Sequence, residues 1–169
     1  FINTTQSRNI IATAKHFPGH GYVKGDTHKE LIFIDGELRE VNNYIPLISN
    51  GLISVMVAHL AVKNNDYYNT GGLPATCSKR IVTDLLKDSL GFRGLIVTDA
   101  LNMGAVTNIE QSGLMAAMAG CDQLLMPVDE VKLIMDILTE LKRNEVFKKQ
   151  IYNSVKKIIK LKICLNKIQ

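Results

Sequence analysis

The sequence predicts an α/β fold in which four short parallel strands alternate with amphipathic helices. Three observations predict it: compact apolar runs at 11–15, 54–58, 95–98 and 123–126, helical periodicity in the segments between them, and a glycine just beyond several of those segments. Short apolar runs without alternation are those of strands buried on both faces. Their succession with helices calls for a parallel sheet joined by right-handed crossovers.

Each helix has its own signature. Residues 37–49 place Leu38, Val41, Ile45 and Ile48 at three- and four-residue spacing, with Gly51 as the stop. Residues 78–90 open on Ser78, an N-cap type, gather Ile81, Val82, Leu85 and Leu86 on one face, and end at Gly91. A third helix over 110–119 is closed by Gly120, and 129–141 and 145 to about 165 complete the chain with Leu, Ile and Val at helical period. Between 62 and 76, Asn, Asp, Tyr and Gly accumulate ahead of Pro74, which reads as a surface excursion.

Composition bounds the function. The 169 residues, 46% hydrophobic and 21% charged, suit one globular core. The net charge of +4 comes largely from lysines of the last thirty residues. Such a run is a solvated helix face; without a basic stripe interleaved with aromatics, no nucleic-acid partner is expected. Cys77, Cys121 and Cys164 are odd in number and far apart, so neither a disulfide framework nor a zinc site is implied. No apolar run approaches the roughly 18 residues that span a bilayer, so no membrane partner is expected. The chain begins with Phe1 rather than Met, which suggests a fragment, a processed product or a cropped domain.

A parallel sheet gives the ionisable residues one address, its carboxyl edge. Lys15 and His16 end the first strand, His59 the second and Asp99 the third. His59 by itself reads as a packed or capping residue. Asp99, directly after Leu95-Ile96-Val97-Thr98, is a carboxylate at a buried strand end and must react, bind metal or be hydrogen-bonded there. The loop from 17 to 28 holds Pro18, Gly19, Gly21 and Gly25, unsuited to helix or strand and able to bring backbone close to a ligand. It lacks the spacing of a phosphate cradle. Within it, Asp26 and His28 stand two apart, and an aspartate beside an imidazole suits a general acid.

The run AKHFPGHG at 14–21, the Asp26-Thr27-His28 that follows, PATCSKRIVTDLLKDSLGFRGLIVTDALNM at 74–103 and AGCDQLLMP at 119–127 together resemble glycoside hydrolase family 3, in its β-N-acetylhexosaminidase branch. The match covers nearly the whole chain in order. The loop departs from the family's usual D-T-x-x-D-S-H in carrying Tyr22 and Val23 at the first two positions and Thr27 for the usual serine. The resemblance implies the C-terminal half of a (β/α)8 TIM-type barrel, four parallel strands with flanking helices, over residues 1–169. It implies a retaining glycosidase with Asp99 as nucleophile and His28, oriented by Asp26, as acid/base, while Lys15 and His16 hold sugar hydroxyls.

The implied substrate is a terminal β-linked N-acetylglucosaminide, most naturally from peptidoglycan fragments, with no metal or organic cofactor. A full barrel needs about 250 residues and eight strands, so the implied partner is the missing N-terminal half, and little hydrolysis is expected of this chain alone. The branch implies a place in the bacterial cytoplasm; Asp99-Ala100-Leu101-Asn102-Met103 resembles a subgroup fused to a serine-hydrolase-like domain, which would imply the cell envelope. Two other readings stay open. A metal-dependent barrel hydrolase would draw ligands from His16, His20, His28, His59 and Asp99, although the expected H-x-H pair is replaced by H-x-x-x-H. A non-catalytic half-barrel would only pack against another chain.

Overall fold

The computed structural model describes residues 1–168. Three strands, β1 (Thr13–Phe17), β3 (Ser54–Val57) and β5 (Leu95–Thr98), form a parallel sheet in the order β1-β3-β5. Two more, β2 (Ile32–Asp35) and β4 (Leu60–Lys63), form a second parallel ladder. The chain leaving β1 reaches β2 through the glycine-rich loop, and the chain leaving β3 reaches β4 after only Ala58 and His59. The second ladder therefore extends the first beyond its carboxyl edge.

The α/β class and parallel pairing stand, with a different strand count. Five strands replace the four expected, and the described residues form no closed barrel. Ile32–Asp35 carries little signal because its apolar run is short, and Leu60–Lys63 because only Ala58 and His59 separate it from β3. The strand expected at 123–126 shrinks to one parallel bridge, Val97 with Gln123, helped by the Thr98 N–H to Gln123 carbonyl bond at 3.0 Å. Met126 turns to φ 47° and Pro127 has no N–H to donate, so extended pairing stops there. The first strand begins two residues later than expected and includes Phe17, which is fully buried and meets Tyr44 edge-on at 5.0 Å between ring centroids.

The helices follow the apolar periodicity with adjusted ends. Expected helix 37–49 is a 3-10 turn, Arg39–Asn43, running into α2 (Tyr44–Ser49), with Gly51 at φ 79° just beyond its end. Arg80–Ser89 is a wide, π-type helix that buries Ile81, Val82, Leu85 and Leu86 as the spacing predicts, although Lys79 rather than Ser78 takes the N-cap position and no side chain bonds there. The other helices are the short α1 (Ile2–Gln6) and α3 (Gly104–Thr107), then α4 (Ser112–Ala119), α5 (Glu130–Leu141) and α6 (Glu145–Cys164). Asp129 and Asn144 cap α5 and α6 through the N–H groups of Lys132 (2.8 Å) and Phe147 (3.0 Å).

The core lies between the main sheet and these helices, around Val55, Val57, Leu60, Ile81, Leu86 and Ile96, each fully buried. Asp122 ties α6 to the sheet, accepting from the Ile96 N–H, Ser154 Oγ and Lys157 Nζ at 2.9, 2.6 and 2.9 Å. The expected surface excursion is only partly that. It starts inside β4, is held to it by Thr70 bonded to Val62, and ends in the buried turn Ala75–Cys77. Cys77 and Cys121 are buried and Cys164 is exposed; burial pushes the Cys77 thiol up to about 11, so it is an inert thiol. Among the described residues no helix is long and apolar enough to cross a membrane.

Candidate active site

A cavity of about 630 Å³ opens at the carboxyl edge of the main sheet. Its lining includes all five residues singled out from sequence: Lys15 and His16 at the end of β1, Asp26 and His28 in the loop that follows, and Asp99 directly after β5. Parallel pairing brings Lys15, His16 and Asp99 to one edge, since Thr13 is opposite Ser54 and Ser54 opposite Leu95, and the loop after β1 carries Asp26 and His28 to the same place.

Asp99 is fixed by its backbone. Its N–H donates to the Val57 carbonyl at 2.9 Å, and its Oδ1 accepts the next N–H, of Ala100, at 2.9 Å. The other oxygen, Oδ2, lies 3.7 Å from His16 Nε2. His16 is partly buried, and burial holds its imidazole below the ordinary value; Lys15, His20 and His28 push the same way, against the pull of Asp99. At neutral pH His16 is therefore a neutral hydrogen-bonding ring beside the carboxylate, not its counter-ion.

His59, the second strand-end histidine, stands behind this carboxylate. It is fully buried; Nε2 bonds the Ala100 carbonyl at 3.0 Å and Nδ1 meets Thr76 Oγ1 at 2.8 Å. A carbonyl only accepts, so Nε2 carries the proton and Nδ1 accepts from the Thr76 hydroxyl. Burial keeps the ring below its ordinary value, hence neutral. The packed reading is the one the geometry gives, with the added detail that His59 braces the turn carrying Asp99. With both nitrogens committed it has no lone pair to offer a cation, and among the described residues no three His, Cys, Asp or Glu side chains converge as a metal site.

The loop is held at both ends. Asp26 Oδ1 accepts the main-chain N–H of His28 at 3.0 Å, and its Oδ2 lies 3.9 Å from Lys29 Nζ. Asp26 thus shapes the turn on which His28 rides, a local bond of the kind Asp makes two residues on. Thr27 is buried, with its hydroxyl 3.4 Å from His20 Nε2. Beyond it, the first N–H groups of α3 face the loop: Gly104 N–H donates to the His28 carbonyl at 3.0 Å and Ala105 N–H to that of Thr27 at 3.3 Å. The segment after Asp99 therefore anchors the segment bearing His28.

Sequence reading missed Glu40, Tyr44 and Gly104. Glu40 and Tyr44 line the cavity from the turn and helix after β2, where only the apolar spacing had been followed. Gly104 gave no signal, because its place against the His28 loop is a tertiary fact. Chemically, the cavity offers a fixed carboxylate, a cation and several imidazoles, the groups for nucleophilic and general acid/base work on a polar substrate.

A beta-hexosaminidase of Hydrogenovibrio crunogenus is 36% identical over 138 residues, covering 77% of this chain and 37% of its own length. One from Haemophilus influenzae is 33% identical over 154 residues, covering 86% of this chain and 42% of its own. The chain thus spans about two-fifths of the length of these curated relatives. The structure of a glycoside hydrolase family 3 beta-N-acetylglucosaminidase from Paenibacillus sp. superposes with a TM-score of 0.87 at 27% identity, over 98% of this chain and 33% of that one. Residues 1–161 match the family described as "Glycosyl hydrolase family 3 N terminal domain", and the chain belongs to glycoside hydrolase family 3.

Proposed function

We propose that this chain supplies the catalytic edge of a retaining glycosidase that releases terminal β-linked N-acetylglucosamine, with peptidoglycan fragments as the natural substrate. The observation that carries the reading is the shared cavity: Lys15, His16, Asp26, His28 and Asp99 line it together. The relatives named beta-hexosaminidase support the substrate class.

In this mechanism an Asp99 oxygen attacks the anomeric carbon while the glycosidic bond breaks, and His28 gives its proton to the leaving oxygen. The resulting glycosyl ester is opened by a water whose proton returns to His28, so configuration at the anomeric carbon is retained. Asp26 sets the turn that presents His28. Lys15 and neutral His16 bind sugar hydroxyls and fix the ring over Asp99. No cofactor takes part in these steps.

Residues 1–169 on this reading are the second half of a (β/α)8 barrel, and the other half completes the cleft. Support comes from the share of the relatives that the chain spans and from β1, which pairs on one side only among the described residues. The test is hydrolysis of a chromogenic β-N-acetylglucosaminide by the full-length gene product, beside Asp99→Asn and His28→Ala. Release that vanishes with the first and falls sharply with the second is expected. Sugar binding without turnover, equal in wild type and Asp99→Asn, would overturn it in favour of a non-catalytic module.

A further inference from the structure

We infer that Glu40 is a positioning residue for the loop that bears His28. The inference rests on the proposed glycosidase reading. Glu40 stands in the 3-10 turn after β2, and its Oε2 accepts the main-chain N–H of Gly21 at 2.9 Å. The side chain also fills the space over the turn it holds. A Cβ on Gly19 would lie 2.6 Å from both Cβ and Oε2 of Glu40, and one on Gly21 would lie 2.9 Å from Oε1. Gly19 is thus required by the Glu40 Cβ packed against it and by its own φ of 144°, while a side chain at position 21 would displace the Glu40 carboxylate.

The bond reaches the acid through one further contact. His20, between the two glycines, meets the hydroxyl of buried Thr27 at 3.4 Å, and Thr27 is flanked by Asp26 and His28. At the far end the His28 carbonyl is held by the Gly104 N–H. Glu40 is therefore the near anchor and α3 the far one, and without the near anchor the glycine-rich stretch has few restraints against swinging away from Asp99. A bond from a charged acceptor to a backbone N–H is among the stronger ones available to such a loop.

The experiment uses the full-length gene product with Glu40→Ala and Glu40→Gln, reading kcat and KM on a chromogenic β-N-acetylglucosaminide and, separately, hydrogen exchange across residues 17–28. Glu40→Ala is expected to lower kcat by about 10- to 100-fold with KM within about 3-fold, and to speed exchange of that segment about tenfold. Glu40→Gln keeps an acceptor oxygen for Gly21 and recovers most of both. Unchanged exchange in Glu40→Ala overturns the inference. So does a raised KM at unchanged kcat, or equal loss in Ala and Gln variants, either of which would make Glu40 a substrate contact. Wild type that fails to cleave the glycoside would defeat the glycosidase reading instead, while the exchange comparison still decides the anchor.

Discussion

Gly104→Ala isolates the contact between the segment after Asp99 and the loop bearing His28, the proposed nucleophile and acid. An Ala Cβ at this position would stand 2.6 Å from the Lys29 carbonyl oxygen and 2.8 Å from that of His28, where ordinary contact begins at 3.4 Å. The obstacle is backbone, so the loop must retreat by about 0.8 Å or α3 must tilt by as much. Weakening the Gly104 to His28 bond and displacing the backbone against it together cost about 1–3 kcal/mol. Net stability therefore falls by about 1–3 kcal/mol, or up to roughly 10 °C in Tm. Activity of the folded variant falls as well, because an error near 1 Å in placing a reacting group costs up to about 100-fold. The assay is kcat/KM on a chromogenic β-N-acetylglucosaminide together with a thermal melt, both on the full-length product. A 10- to 100-fold loss in a variant that still melts cooperatively is expected; unchanged kcat/KM would refute the claim that α3 places His28.

Other predictions concern the brace and the sheet. Thr76→Val removes the hydroxyl that donates to His59 Nδ1 and leaves a buried acceptor unpaired, so denaturant melts are expected to show a loss of about 1–3 kcal/mol; no loss would mean that the bond contributes nothing. His59 titrates near 6.5 in the unfolded chain and lower in the folded one because it is buried. Below about pH 6.5 the unfolded state therefore binds more protons, so this contribution to stability is complete above that pH and is lost as pH falls, with a slope approaching ~1.4 kcal/mol per pH unit. A His59→Phe variant that keeps the full wild-type slope between pH 6.5 and 5 would contradict this. Gly94→Ala would put a methyl 2.2 Å from the Ile53 carbonyl oxygen, at the bond that starts the pairing of β5 with β3; a loss of about 3 kcal/mol is expected from the same melts.

Much of the site was legible because its residues follow strand ends. A buried strand terminating in Lys15-His16 or Thr98-Asp99 sends those side chains to the carboxyl edge whatever the rest of the chain does, and parallel pairing then makes the edges coincide. The second ladder was not legible. Leu60–Lys63 pairs with Ile32–Asp35 only because both strands' chains have already left the main sheet side by side, a consequence of tertiary register rather than of local pattern. The same limit hid Gly104 and Glu40. Each acts on a backbone group distant in sequence, the one on His28 and the other on Gly21. The relation of Asp26 to His28 was half visible: their spacing predicted contact, but the carboxylate took the main-chain N–H as its partner.

The central claim is that Asp99 forms a bond to the sugar. The most direct measurement is mass spectrometry of the full-length product after reaction with a slow fluorinated N-acetylglucosaminyl fluoride, which lets the covalent intermediate accumulate. The account predicts one added glycosyl mass on the peptide containing Asp99, absent from Asp99→Asn. An adduct on another residue, or steady hydrolysis with no adduct at all, would contradict it.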